Sequence, residues 1–91
     1  MMSKIPQEIK KGQSDMEILR AGIIAELDAI NLYEQMAAAT KNKSIRNVLL
    51  DIAKEEKTHV GEFQALLLRL DAEQKRELEK GKKEVEEITK K

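Results

Sequence analysis

Residues 45–70 read IRNVLLDIAKEEKTHVGEFQALLLRL. Stepping through them by alternate fours and threes gives Ile45, Leu49, Ile52, Glu56, His59, Phe63, Leu66 and Leu70, of which six are apolar. A 3.5-residue repeat is the seam a helix lays along a packed neighbour. The segment is therefore predicted to be a long helix, with a carboxylate and an imidazole at the centre of its packed face.

Moving toward the N-terminus, the same stepping gives Met16, Leu19, Ile23, Glu26, Ile30, Tyr33, Ala37 and Thr40, again with a glutamate in mid-seam. Ser14 followed by Glu17 is a capping-box signature, and Asp15 puts negative charge in the first turn, where the helix dipole favours it. A first helix is predicted from there to about Thr40, roughly 26 residues or about 39 Å. Lys41, Asn42 and Lys43 form the turn and Ser44 caps a second helix from Ile45 to about Leu70. Two long helices of equal length on a short loop make an antiparallel hairpin. Asp71 and Gln74 repeat the capping signature and open a shorter helix to Lys80, which Gly81 either ends or weakens. Leu78, Val85 and Ile88 give that segment a thin apolar stripe. The chain thus divides into a flexible N-terminal tail (1–13), a helical hairpin (14–71) and a short C-terminal helical segment (72–91).

Composition agrees with an all-α domain. The 91 residues hold 17 Lys plus Arg against 17 Asp plus Glu, 37% charged and 41% hydrophobic residues, one Pro and no Cys. A chain of this size is at most one domain. Balanced charge, with Tyr33 and Phe63 as the sole aromatics, argues against nucleic acid as a partner. Without cysteine there is no thiolate nucleophile, disulfide, Cys-type zinc site or iron–sulfur cluster, so any metal must be held by carboxylate and imidazole. The start, MMSKIPQEIKKGQ, lacks an apolar export core, and no apolar run is long enough for a membrane span. The expectation is a cytoplasmic protein with no membrane partner.

The polar residues in the two seams share a height. Glu26 lies 16 residues before Asn42, and Thr58, 16 residues after it, falls between Glu56 and His59. The hairpin should therefore bring Glu26, Glu56 and His59 together. Glu56 and His59, at i and i+3, point from one helix face, so one ion can touch both while Glu26 reaches it from the facing helix. A lone hairpin buries too little to be stable and leaves each seam open on its far side, so association is required. A twofold pair would gather four carboxylates and two imidazoles, matched to two divalent cations. One Glu from each of two helices and Glu-x-x-His from the other two is the ligand set of ferritin-like di-iron and di-manganese proteins.

A blander reading stands beside this one. With 13 Glu in 91 residues, a Glu-x-x-His alone carries little. His59 could be a hydrogen-bonded core histidine and Glu26 a buried polar residue setting register, although unpaired buried carboxylates cost several kcal/mol. Tyr33 lies two turns beyond Glu26 and leans back toward it, as helical side chains do; it is either a plain core tyrosine or a hydrogen-bonding neighbour of the ligands. Ile18, Ile24 and Met36 fall outside the first seam and suit packing in a higher assembly.

The residues AELDAINLYEQ at 25–35 and EEKTHVGE at 55–62 resemble the encapsulated ferritins, in which a two-helix hairpin supplies half of a di-iron site and the dimer completes it. The resemblance covers roughly residues 16–71. It implies iron ligands at Glu26, Glu56 and His59, a tyrosine near the site at Tyr33, and two Fe per dimer with ligands from both chains. It further implies ferroxidase activity on Fe²⁺ with oxygen or peroxide, a ring of dimers, and work within an encapsulin nanocompartment whose shell stores the mineral. Ala25 stands where relatives often carry an additional acid, leaving Asp28 as the nearby one, and Leu32 replaces a Trp.

The reading is thus an all-α hairpin that dimerises into a ferritin-like four-helix di-iron arrangement and acts as a ferroxidase, with Glu26, Glu56, His59 and Tyr33 as its working residues. Hard carboxylates with one imidazole suit iron or manganese without excluding zinc. The rival readings are a noncatalytic helical interaction module and another di-metal carboxylate enzyme.

Overall fold

The computed structural model describes residues 13–90, arranged as α1 (Asp15–Ala39), α2 (Lys43–Leu70) and α3 (Ala72–Thr89), with no strand among them. The predicted N-terminal tail lies outside the described residues, apart from its last position. The all-helical fold expected from the sequence is the one observed.

Local chemistry fixes each helix end. Ser14 Oγ accepts a hydrogen bond from the Glu17 backbone N–H at 3.2 Å, and Glu17 returns one from the Ser14 N–H at 3.1 Å, completing the capping box. This bond from Ser14 holds the Glu17 carboxyl below its ordinary pKa. The second helix starts earlier than the sequence suggests. Its cap is Asn42, whose Oδ1 accepts from the Ile45 N–H at 3.0 Å, and not Ser44, which is inside the helix. Asn and Ser are equally good caps, and the earlier one lengthens the helix. α1 has no basic residue in its last turn. Arg46 of α2 supplies the missing cation, donating to the carbonyls of Ala37 (3.3 Å) and Thr40 (2.8 Å), where the dipole of α1 is negative.

Asp71, at the junction of α2 and α3, is bonded to both helices and to α1. Its backbone N–H donates to Leu67, one carboxylate oxygen accepts from the Gln74 N–H at 2.9 Å, and the other accepts from Arg20 at 2.9 Å. These bonds, that from Gln74 first, hold its carboxyl below the ordinary aspartate range. α3 then continues through Gly81 to Thr89. Glycine in a helix costs about 1 kcal/mol, and the surrounding run of Lys and Glu, rich in i,i+4 opposite-charge spacings, is enough to carry the helix across it.

The molecule is flat and open. Its extents are 49 × 45 × 19 Å, the thin dimension being that of one helix pair, and α3 stands out from the hairpin to give the 45 Å width. The radius of gyration is 16.4 Å, against about 12 Å for a compact chain of this length. Among the described residues the buried hydrophobic core is Ala21, Ile30, Ala37, Ala53 and Leu67. The predicted seam of α1 holds, with every member buried or half-buried. On α2 the buried row is rotated by one residue, through Ala53, Val60 and Leu67, with Leu49, Glu56 and Phe63 shared between the two rows. Ile45, Leu66 and Leu70, expected in the seam, are instead about half exposed. Small Ala53 sits inside because only a short side chain lets the two backbones approach closely.

Candidate metal centre

Glu26 comes from the middle of α1, and Glu56 and His59 from adjacent positions on one face of α2. One ligand-type atom from each lies within 4.8 Å of the other two. His59 Nδ1 is 3.1 Å from Glu26 Oε2 and 3.5 Å from Glu56 Oε2, so the imidazole faces both carboxylates with the same nitrogen. The glutamate side chains retain 20% and 18% of their exposure, whereas His59 retains 46%. The cluster therefore has a closed side, formed by the hairpin, and an open side at the histidine.

Electrostatically the cluster is lopsided. Among the described residues, the ion-pair partner of Glu26 and of Glu56 is the half-exposed His59, and no Lys or Arg neutralises either carboxylate. About two turns further along α1 the contrast shows: Glu34 is paired with Lys57 at 3.2 Å. Two carboxylates and one imidazole nitrogen converging on one point are donors that could hold a cation, and the hard oxygens favour iron or manganese. The residues present thus fit an iron ion.

The three sequence-predicted ligands are brought together as expected. Tyr33 is half-buried on α1, two turns from Glu26, and among the described residues no hydrogen bond links its hydroxyl to the three. Sequence reading placed Phe63 in the α2 seam but missed its contact with Gly22, one turn from the cluster, where the bare Cα of the glycine lies against the phenylalanine ring. A glycine in the middle of an otherwise unbroken helix was the available signal.

A helical hairpin carrying two glutamates and a histidine at mid-height defines a ferritin-like protein. Comparison with known proteins agrees: the rubrerythrin family model matches residues 17–91. The chain is 65% identical over 74 residues to a ferritin-like-encapsulin shell fusion protein of Pyrococcus furiosus, covering 81% of this chain and 21% of that one. It is 39% identical over 69 residues to the encapsulin nanocompartment cargo protein EncC of Myxococcus xanthus, covering 72% of this chain and 53% of the relative. The crystal structure of the encapsulated ferritin domain from Pyrococcus furiosus matches with a TM-score of 0.83 and 53% identity, over 98% of this chain and 94% of that one. The chain belongs to the rubrerythrin family, among the encapsulated ferritins. It spans about a fifth of the length of the shell fusion and about half that of the cargo protein.

Proposed function

We propose that this chain is a ferroxidase subunit: two copies pair through the open side of the cluster, enclose two iron ions with both sets of Glu26, Glu56 and His59, and oxidise Fe²⁺ to Fe³⁺. The observation that carries this reading is the convergence of the three ligand atoms within 4.8 Å on a hairpin whose open side is apolar. Ile45, Leu66 and Leu70 flank His59 along α2, each about half exposed, so a second hairpin laid there would bury them and close the site together. Glu56 and His59 would hold an ion from α2, and Glu26 would complete its carboxylate shell from α1. His59 Nδ1, 3.1 Å from Glu26 Oε2, must release any proton it carries to solvent before it can become a ligand. Bound iron supplies one-electron transfer to oxygen or peroxide. In this reading Tyr33, seven residues beyond Glu26 on α1, would hydrogen-bond a ligand or take part in that electron transfer.

The names of the relatives support the setting: one is a shell fusion and another an encapsulin cargo protein. In this reading the chain works inside an encapsulin shell, which takes up the ferric product. α3 carries Val85 and Ile88 exposed toward its far end, which suits contact between dimers in a ring. Among the described residues no helix is long and apolar enough to cross a membrane.

The test is an anaerobic Fe²⁺ titration followed by oxygen, recording the near-ultraviolet ferric absorbance. Wild type should saturate at one iron per chain and give an oxygen-dependent signal, which His59→Ala should lose by roughly 100-fold or more. Tyr33→Phe should slow the signal without changing the iron bound. No oxygen-dependent signal in wild type, or an unchanged one in His59→Ala, contradicts the assignment.

A further inference from the structure

Gly22 occupies the middle of α1, where glycine is the least favourable ordinary residue for a helix. Its backbone has ordinary helical geometry, so no left-handed turn calls for it. What distinguishes the position is its neighbour. A Cβ built there would lie 3.3 Å from Cδ2 and Cε2 of Phe63 and 3.4 Å from its Cγ, inside the roughly 3.5–4.0 Å of ordinary carbon contact. The helical glycines Gly61 and Gly81 show nothing within 4 Å of the same construction. Gly22 is thus where the ring of α2 presses against the bare backbone of α1.

This contact sits on the metal cluster. Gly22 is one turn before Glu26 and Phe63 one turn after His59, so in an antiparallel hairpin the two pairs occupy successive layers. A side chain at position 22 would push the ring sideways or part the helices by a few tenths of an ångström. Packed helices transmit such a shift to the next layer, where His59 Nδ1 and Glu26 Oε2 stand 3.1 Å apart.

We propose that Gly22 is a positioning residue for the metal centre: its missing side chain admits the Phe63 ring and sets the helix separation at which Glu26 and His59 can share one ion. This inference rests on the three residues being metal ligands. It separates metal affinity from fold stability, because alanine is the better helix former, so Gly22→Ala should weaken the site without weakening the helix.

The experiment titrates the full chain with Co²⁺, read by its visible absorption, and records thermal unfolding in chelator. Gly22→Ala is expected to bind Co²⁺ about 10-fold more weakly than wild type, the loss typical of a supporting residue around a metal site, while its metal-free melting temperature is no lower. Gly61→Ala, with the same gain in helix preference and open space around it, should bind as wild type does. Phe63→Leu, which removes the ring, should make the chain indifferent to position 22, so that Gly22→Ala/Phe63→Leu binds within about threefold of Phe63→Leu. If Gly22→Ala does not fold, that pair carries the test: equal affinities support the inference and a further tenfold loss overturns it. A wild-type chain that binds Co²⁺ no more tightly than Gly22→Ala overturns this inference alone, and one that binds no Co²⁺ overturns it together with the ligand assignment.

Discussion

The two sides of α2 have similar greasiness and opposite fates. On the side facing α1, Ala53 and Leu67 are 2% and 5% exposed; on the other, Ile45, Val48, Leu66 and Leu70 are 46–60% exposed. His59 lies at the border between them. A monomer stable on its own has no use for a second apolar face of this extent, and Glu56 and His59 lie where that face meets the first. The inner side makes the hairpin, and the outer side is the face through which the proposed pairing would complete the site.

Breaking the outer side should have the largest effect. Leu66→Lys places a charge in the proposed pairing face and should weaken association by roughly 100-fold or more, read by sedimentation velocity; an unchanged oligomer contradicts the comparison. The inner side answers differently. Ala53→Leu should destabilise the hairpin by about 1–3 kcal/mol through overpacking, read by chemical denaturation. Arg46→Ala, which strips the C-terminus of α1 of its cation, should cost about 1–2 kcal/mol in the same measurement.

The junction with α3 offers a finer probe through pH. Because the folded chain holds the Asp71 carboxyl below its ordinary value, its ionised form stabilises the fold above the unfolded pKa of about 4, and that contribution is lost as pH falls through the lowered value. Asp71→Asn keeps a capping side chain but not the charge facing Arg20. Its thermal stability should trail wild type at pH 6, and the gap should close only as pH falls through the lowered Asp71 value. The smallest effect is expected at Gly81→Ala, which should stiffen α3 by up to about 1 kcal/mol without touching the hairpin or its association.

Much of this architecture is legible in the sequence because it is written in local chemistry. The capping box of Ser14 and Glu17, the Asp71–Gln74 cap and the equal spacing of Glu26 and the Glu56–His59 pair from the turn depend on neighbours within a few residues or on counting. What escaped depends on tertiary contact. A hydrophobicity pattern prefers Ile52 to Ala53, yet close packing of two backbones selects the alanine, so the buried row of α2 is rotated by one position. The start of α2 escaped because Asn42 and Ser44 are both competent caps. The contact of Gly22 with Phe63 was hidden because a sequence shows that a side chain is missing without showing what fills its place.

The most direct test of a centre shared between two chains is native mass spectrometry of the protein under anaerobic conditions, with and without Fe²⁺. The account predicts that iron promotes pairing and that each pair carries two ions, with Glu26→Ala neither pairing in response nor retaining them. A single chain holding its iron alone, or an oligomer indifferent to both iron and chelator, would contradict it.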